Sequence, residues 1–139
     1  MRYVLATDVI SELVARQPNS RVMRWIDGLE PSGVFLSVVT IGEIRKGIEK
    51  LPDSDRKELL LDWLEEELLT RFSGRILTLD VDVMLKWGTL AAKMERKGKP
   101  LPAMDSLIAA TALHHHCHVA TRNEDDFKGT GLSTVNPWV

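Results

Sequence analysis

Asp105-Ser106-Leu107-Ile108-Ala109-Ala110-Thr111-Ala112-Leu113 is apolar on almost every side when wound as a helix, so it must be buried all round. A carboxylate at the mouth of such a helix either caps backbone N–H groups or serves a site. Burial makes its ionised form costly unless hydrogen bonds, a cation or a metal compensates it. Pro100-Leu101-Pro102 punctuates the chain just before this run. Ahead of that lie Lys93, Arg96, Lys97 and Lys99, a candidate phosphate-binding patch whose plainer reading is a solvated helix end favoured by the helix dipole.

Outward from this helix, short apolar runs alternate with helical patterns. Tyr3-Val4-Leu5 reads as a strand and Asp8 to Ala15 as a helix closed near Gln17-Pro18. Asn19 or Ser20 caps a second helix carrying Val22, Trp25, Ile26 and Leu29. Val34 to Val38 is a buried strand, Thr40 to Lys50 a helix, and Asp53 to about Leu69 a longer amphipathic one. Ile76 to Leu79 reads as a strand, Val81 to Lys97 as a helix, Asp105 to His116 as the buried helix and His118 to Thr121 as a strand. Val135 belongs to a last short strand. Strands separated by helices imply an α/β fold: three layers, with a central, mostly parallel sheet and helices on both faces. No repeat or linker interrupts residues 1–139, which read as a single domain.

Composition narrows the function classes. With 139 residues and 44% hydrophobic content the chain can build one real core. No apolar run reaches the roughly 18 residues of a membrane helix, and the start is too short for a signal peptide, so a cytoplasmic location is expected. The single cysteine, Cys117, forms no internal disulfide and suits a reducing compartment. A net charge of −2 gives no global nucleic-acid footprint.

In an open parallel sheet, ligands sit beyond the carboxyl ends of the strands where the strand order reverses. Asp8, Glu43, Asp105 and the Glu124-Asp125-Asp126 run all fall at such ends. Each also has a plain reading. Thr40-Ile41-Gly42-Glu43 matches a capping box, Asp8 and Asp105 suit N-caps, and Asp125-Asp126 suit a polar turn. Caps need not cluster at one sheet edge; a metal site must.

Four ordered stretches carry a resemblance that spans nearly the whole chain. They are residues 3–13, opening Tyr3-Val4-Leu5-Ala6-Thr7-Asp8; Ser37 to Ile44; Pro102 to Ala112; and Thr121-Arg122-Asn123-Glu124-Asp125-Asp126-Phe127. Together they resemble the PIN-domain ribonucleases, specifically VapC-type toxins of toxin–antitoxin pairs, including the FitB-like branch. The resemblance implies a PIN-like three-layer sandwich, RNA cleavage dependent on Mg²⁺ or Mn²⁺, a homodimer, and inhibition by a VapB-like antitoxin. It also implies that Glu43, Asp105 and Asp126 are the metal-site acids, with Asn123 a weaker candidate.

One position departs from the pattern. The family's opening motif reads Leu-Asp-Thr-Asn, placing its first catalytic carboxylate at position 6, where this chain has Ala6; Asp8 stands at the asparagine. Alternation aims residues 6 and 8 the same way, but their offset is about 6–7 Å, so capping is the expected role of Asp8. The intact remaining motifs favour an introduced Asp→Ala replacement over natural divergence, and the chain is expected to be inactive. Several acids within a few Å repel unless a hard divalent cation takes their oxygens, and Mg²⁺ completes its shell with water and phosphate. Ser11 and Thr121 are candidate hydroxyls orienting the acids, and Lys97, Lys99 and Arg122 candidate RNA contacts.

Two other features read plainly. His114-His115-His116-Cys117-His118 is a helix end passing into a strand, and Trp25, Trp63, Trp87 and Trp138 are core or dimer-interface residues. The alternative function class is a natural pseudo-enzyme that binds an antitoxin or RNA without cleaving it.

Overall fold

The computed structural model describes residues 1–139. In chain order the elements are β1 (Tyr3–Leu5), α1 (Thr7–Glu12), α2 (Ser20–Asp27), a 3-10 turn (Pro31–Gly33), β2 (Val34–Ser37) and α3 (Val38–Glu49). Then come α4 (Asp55–Asp62), a π-helical stretch (Trp63–Leu68), α5 (Leu69–Arg71), β3 (Ile76–Leu77), α6 (Val81–Arg96) and α7 (Ala103–His114). β4 (His118–Ala120), a second 3-10 turn (Glu124–Phe127) and β5 (Thr134–Val135) close the chain. The sheet order is β3-β2-β1-β4-β5, and all four pairings are parallel.

Side-chain alternation sorts the core into two halves. Leu5, Val34, Leu36 and Ala120 face one side, where they meet Val9 and Ile10 of α1, Val22 and Ile26 of α2, Ile44 and Ile48 of α3, and Leu64, Leu68 and Phe72. Val4 and Val119 face the other, against Leu90 and Met94 of α6 and Ile108, Ala109 and Ala112 of α7. β1 and β4 are thus covered on both faces, in keeping with the apolar Val4-Leu5 and Val119-Ala120 at their buried ends. The predicted three-layer α/β sandwich is the observed one. No helix is long and apolar enough to cross a membrane.

The two buried hydroxyls of α7, those of Ser106 and Thr111, are both hydrogen-bonded. Ser106 donates to the Ala103 carbonyl (2.5 Å) and accepts from Trp87 Nε1 (2.8 Å), tying α7 to α6, and Thr111 donates to the Leu107 carbonyl. Trp25, Trp63 and Trp138 pack against the first half of the core. The histidine run crosses from α7 into β4, with His116 at φ 55° making the turn.

Three capping expectations are corrected. α3 starts at Val38, directly off β2, and its N-cap is Ser37, whose hydroxyl accepts from Val39 N; Thr40 is no cap, so no capping box holds Glu43. α7 starts at Ala103 with Pro102 at its N-cap, which puts Asp105 in the first turn rather than at the cap. α1 starts at Thr7 with Ala6 at its N-cap and no side-chain cap, so Asp8 does not cap it either. In each case the helix begins one or two residues earlier than sequence patterning suggests, which frees an acid for other contacts.

Candidate active site

Sheet order reverses about β1, with β2 on one side and β4 on the other, so a crevice opens where α1, α3 and α7 start and β4 ends. A cavity of about 270 Å³ occupies that point, lined by Ala6, Thr7, Asp8, Glu43, Asp105, Thr121 and Asn123. Of the acids that sequence reading sends to one rim, Asp8, Glu43 and Asp105 line the cavity, whereas Glu124, Asp125 and Asp126 do not.

Glu43 lies in the second turn of α3 and is held from across the cavity: Thr7 Oγ1 stands 2.6 Å from Glu43 Oε1 and 3.1 Å from Thr40 Oγ1. Asp8 reaches the opposite way. Its Oδ2 accepts from the backbone N–H of Arg122 (2.9 Å) and from the Thr121 hydroxyl (3.2 Å), while Thr121 Oγ1 also accepts from Asn123 N (3.1 Å). Asp8 Oδ1 is closed to solvent and has no hydrogen-bond partner.

The acidic run after β4 is split by its 3-10 turn. Glu124 accepts from the Thr134 hydroxyl (2.6 Å), Asp125 pairs with Lys128 (2.7 Å), and Asp126 is left beside Asp105. Asp105 registers all of this. Its carboxyl is raised from 3.8 to about 6, first by burial, then by the negative charges of Asp126, Glu43 and Asp8 and by a hydrogen bond with Asp126. None of the chain's ion pairs involves Asp8, Glu43, Asp105 or Asp126. The cluster is therefore a concentration of negative charge without a protein cation.

That donor set is all oxygen and anionic, which suits a hard divalent ion. Asp8 Oδ1 is the kind of orphaned buried acceptor that an ion or a water would satisfy. The set is nevertheless loose: no three histidine, cysteine or acidic side chains stand close enough to share one ion. Position 6 lines the same cavity and carries a buried methyl group.

Other sequence candidates fall outside the cavity. Ser11 is exposed and lines a neighbouring pocket beside Thr7 and Glu43. The Arg122 guanidinium lies over the Trp138 ring at 5.2 Å, Lys97 approaches the Gly129 carbonyl at 3.4 Å, and Lys99 is exposed. Thr7, which sequence reading passes over, makes the shortest polar contact in the site. Its partner lies 36 residues away, and no local pattern announces it.

The profile of the PIN domain matches residues 3–131. Over 135 residues the chain is 38% identical to the VapC ribonuclease Y4jK of Sinorhizobium fredii, covering 97% of this chain and 96% of the relative. It is equally identical over 135 residues to toxin FitB of Neisseria gonorrhoeae, covering 97% of each. The crystal structure of FitAcB from Neisseria gonorrhoeae superposes with a TM-score of 0.93 at 38% identity, covering 98% of each chain. Further VapBC and toxin–antitoxin complexes under 25% identical share the fold.

Proposed function

The chain belongs to the PIN-domain family, and from that membership we propose that it is the toxin of a VapBC-type toxin–antitoxin pair. On this reading it is a Mg²⁺- or Mn²⁺-dependent endoribonuclease scaffold crippled by Ala6. The observation that carries the reading is the acid cluster at the reversal of the sheet, which no protein cation pairs; burial first, and then its neighbouring acids, raise Asp105 to about 6.

Glu43, Asp105 and Asp126 would hold the ion. Once bound, it supplies Lewis-acid polarisation of a phosphodiester and an activated water. The chain's own groups prepare that chemistry. Thr7 fixes Glu43 Oε1, which orients the other carboxylate oxygen. Asp105 takes up a proton near pH 6, above the usual carboxylate range, and nearby positive charge would favour its ionised form. Thr121 and the Arg122 amide anchor Asp8, and with it the turn that brings Asn123 and Asp126 to the rim. Phosphates of the RNA backbone would meet Lys97, Lys99 and Arg122 around the cavity.

The expected partner is a VapB-like antitoxin. A groove of about 580 Å³ runs beside the cavity, lined by Val38, Val39, Leu79, Met104 and Leu107 and sharing Glu43 with it. An apolar helix would fill this groove, and a basic side chain from it would reach Glu43 and Asp105. A homodimer is also expected, for which Val81 (74% exposed) and Leu85 (66% exposed) on α6 offer apolar surface.

Restoring the acid tests the nuclease reading. Ala6→Asp should switch on divalent-dependent cleavage of a mixed tRNA and ribosomal RNA pool by about a hundredfold or more. EDTA should abolish the cleavage, and Asp105→Asn should abolish it again in the restored chain. The looseness of the acid set favours a second reading, a pseudo-enzyme that binds antitoxin or RNA. A folded Ala6→Asp chain that cuts nothing with Mg²⁺ or Mn²⁺ would establish that reading instead.

A further inference from the structure

We propose that Arg122 grips an RNA phosphate beside the acid cavity and that Trp138 is its positioning residue; the inference rests on the reading of RNA as substrate above. Thr121 and Asn123, on either side of Arg122, both line the cavity, whereas Arg122 does not. Its backbone is nonetheless fixed to the cavity wall, because the Arg122 N–H donates to Asp8 Oδ2 at 2.9 Å. The guanidinium turns outward and stands over the indole of Trp138, 5.2 Å from the ring centroid. Trp138 packs in turn against the first half of the core. Asn136 clasps the two: its side-chain amide donates to the Arg122 carbonyl at 3.5 Å, and its Oδ1 accepts from the Trp138 N–H at 2.9 Å.

An arginine among acids ordinarily pairs with one of them. Glu124, Asp125 and Asp126 follow Arg122 closely and Asp8 touches its backbone, yet no ion pair includes it. Its hydrogen bonds are made by the backbone alone, so the N–H donors of an exposed guanidinium are left for something outside the chain. Arg45, Arg56 and Arg75 differ, each being bound to a carboxylate or a carbonyl of this protein. Attraction to the indole face keeps Arg122 from folding back onto the acids. It also restricts in advance the side-chain freedom that binding would have to freeze. An anionic rim repels a phosphate strand, so a local cation must hold the strand there, and a guanidinium fork fits a phosphate bidentately.

The test is binding of a short fluorescein-labelled single-stranded RNA of mixed sequence to the full chain, followed by anisotropy across a KCl series in EDTA so that nothing is cut. Arg122→Ala should weaken binding about tenfold and lower the slope of log affinity against log salt by about 0.7, the share of one phosphate on a single strand. Trp138→Leu should give most of the same loss although Arg122 is intact, whereas Trp138→Phe should stay within about twofold of the parent, because it keeps a ring face. An indole that only covers the core would let Trp138→Leu bind as well as Trp138→Phe. Thermal melts check that each variant is folded. Should Trp138→Leu melt early, Trp138→Met, equally apolar and without a ring, must reproduce the loss.

Unchanged RNA affinity in Arg122→Ala would overturn the assignment, and so would a Trp138→Leu chain that binds as the parent does. If the parent prefers a polyglutamate peptide to the RNA and loses it in Arg122→Ala, Arg122 serves a protein carboxylate, and the assignment falls too. If Ala6→Asp cleaves RNA while any of these results holds, the nuclease reading stands and only the role of Arg122 falls. If Ala6→Asp cuts nothing and the parent binds no RNA, both readings fall together.

Discussion

Asp105→Asn should make the metal-free protein more stable at neutral pH while removing a residue assigned to its function. The Asp105 carboxyl is raised from 3.8 to about 6, so the native state binds its proton more tightly than the unfolded chain does. The native stability tied to this group is therefore complete below pH 4, falls as pH rises through 6, and is flat above. A displacement of about two units corresponds to about 3 kcal/mol at 1.36 kcal/mol per unit. Asp105 is only partly buried, and screening brings this to about 1.5 kcal/mol. The first-turn position returns some of it, because the dipole of α7 favours the anion by about 0.5 kcal/mol. A gain near 1 kcal/mol at pH 8 is therefore expected, shrinking to nothing at pH 3.5. Urea melts of parent and Asp105→Asn in EDTA at both pH values measure it as a difference, so that titration of the other acids cancels. Saturating Mn²⁺ should reverse the order at pH 8 by stabilising only the parent. A variant that is less stable at pH 8 in EDTA, or a gain that does not depend on pH, refutes the electrostatic account of this site.

Thr7→Val removes the hydroxyl that holds Glu43 Oε1 at 2.6 Å; in the Ala6→Asp chain it should lower the cleavage rate about tenfold with little change in melting temperature, measured on one RNA substrate. Arg75→Ala should destabilise the fold by about 2–3 kcal/mol in urea melts, because the guanidinium donates to the Pro31, Val34 and Arg71 carbonyls and lies over Phe72. Replacing Lys97 and Lys99 together by alanine should weaken RNA binding at every sequence tested and lower the slope of log affinity against log salt by about 1.4 on single strands, read by filter binding.

The layered fold was legible because its central strands are buried on both faces and its helices carry apolar stripes, so alternating Tyr3-Val4-Leu5, Val34 to Val38 and His118 to Thr121 with helices leaves few arrangements. Helix starts were harder to read. Thr40 and Glu43 have the spacing of a capping box, yet Ser37 ends β2 and caps α3 in the same residue, a double duty that a pattern search passes over. The convergence of Asp8, Glu43 and Asp105 was legible from their positions after strands and at helix starts. What holds them was not, since the Thr7–Glu43 and Thr121–Asp8 bonds join residues 36 and 113 apart and follow no periodicity. Nor does sequence alone divide Glu124, Asp125 and Asp126; that takes the turn, which sends one to Thr134, one to Lys128 and one toward Asp105.

The pairing of β1 with β4 also sets a clock. Tyr3 lies beside His118 and Leu5 beside Ala120, so the strand made first waits for one of the last. At 5–20 residues per second of synthesis, the 113 residues between Asp8 and Thr121 take roughly 6–23 s to emerge. Through that interval Asp8 lacks both donors that fix it, and Asp126 does not yet exist. A nascent chain on the ribosome therefore has no assembled acid cavity, and neither has one cut short before β4. The interval also gives any partner that binds the earlier segments, α3 among them, time to arrive before the acid cavity can close.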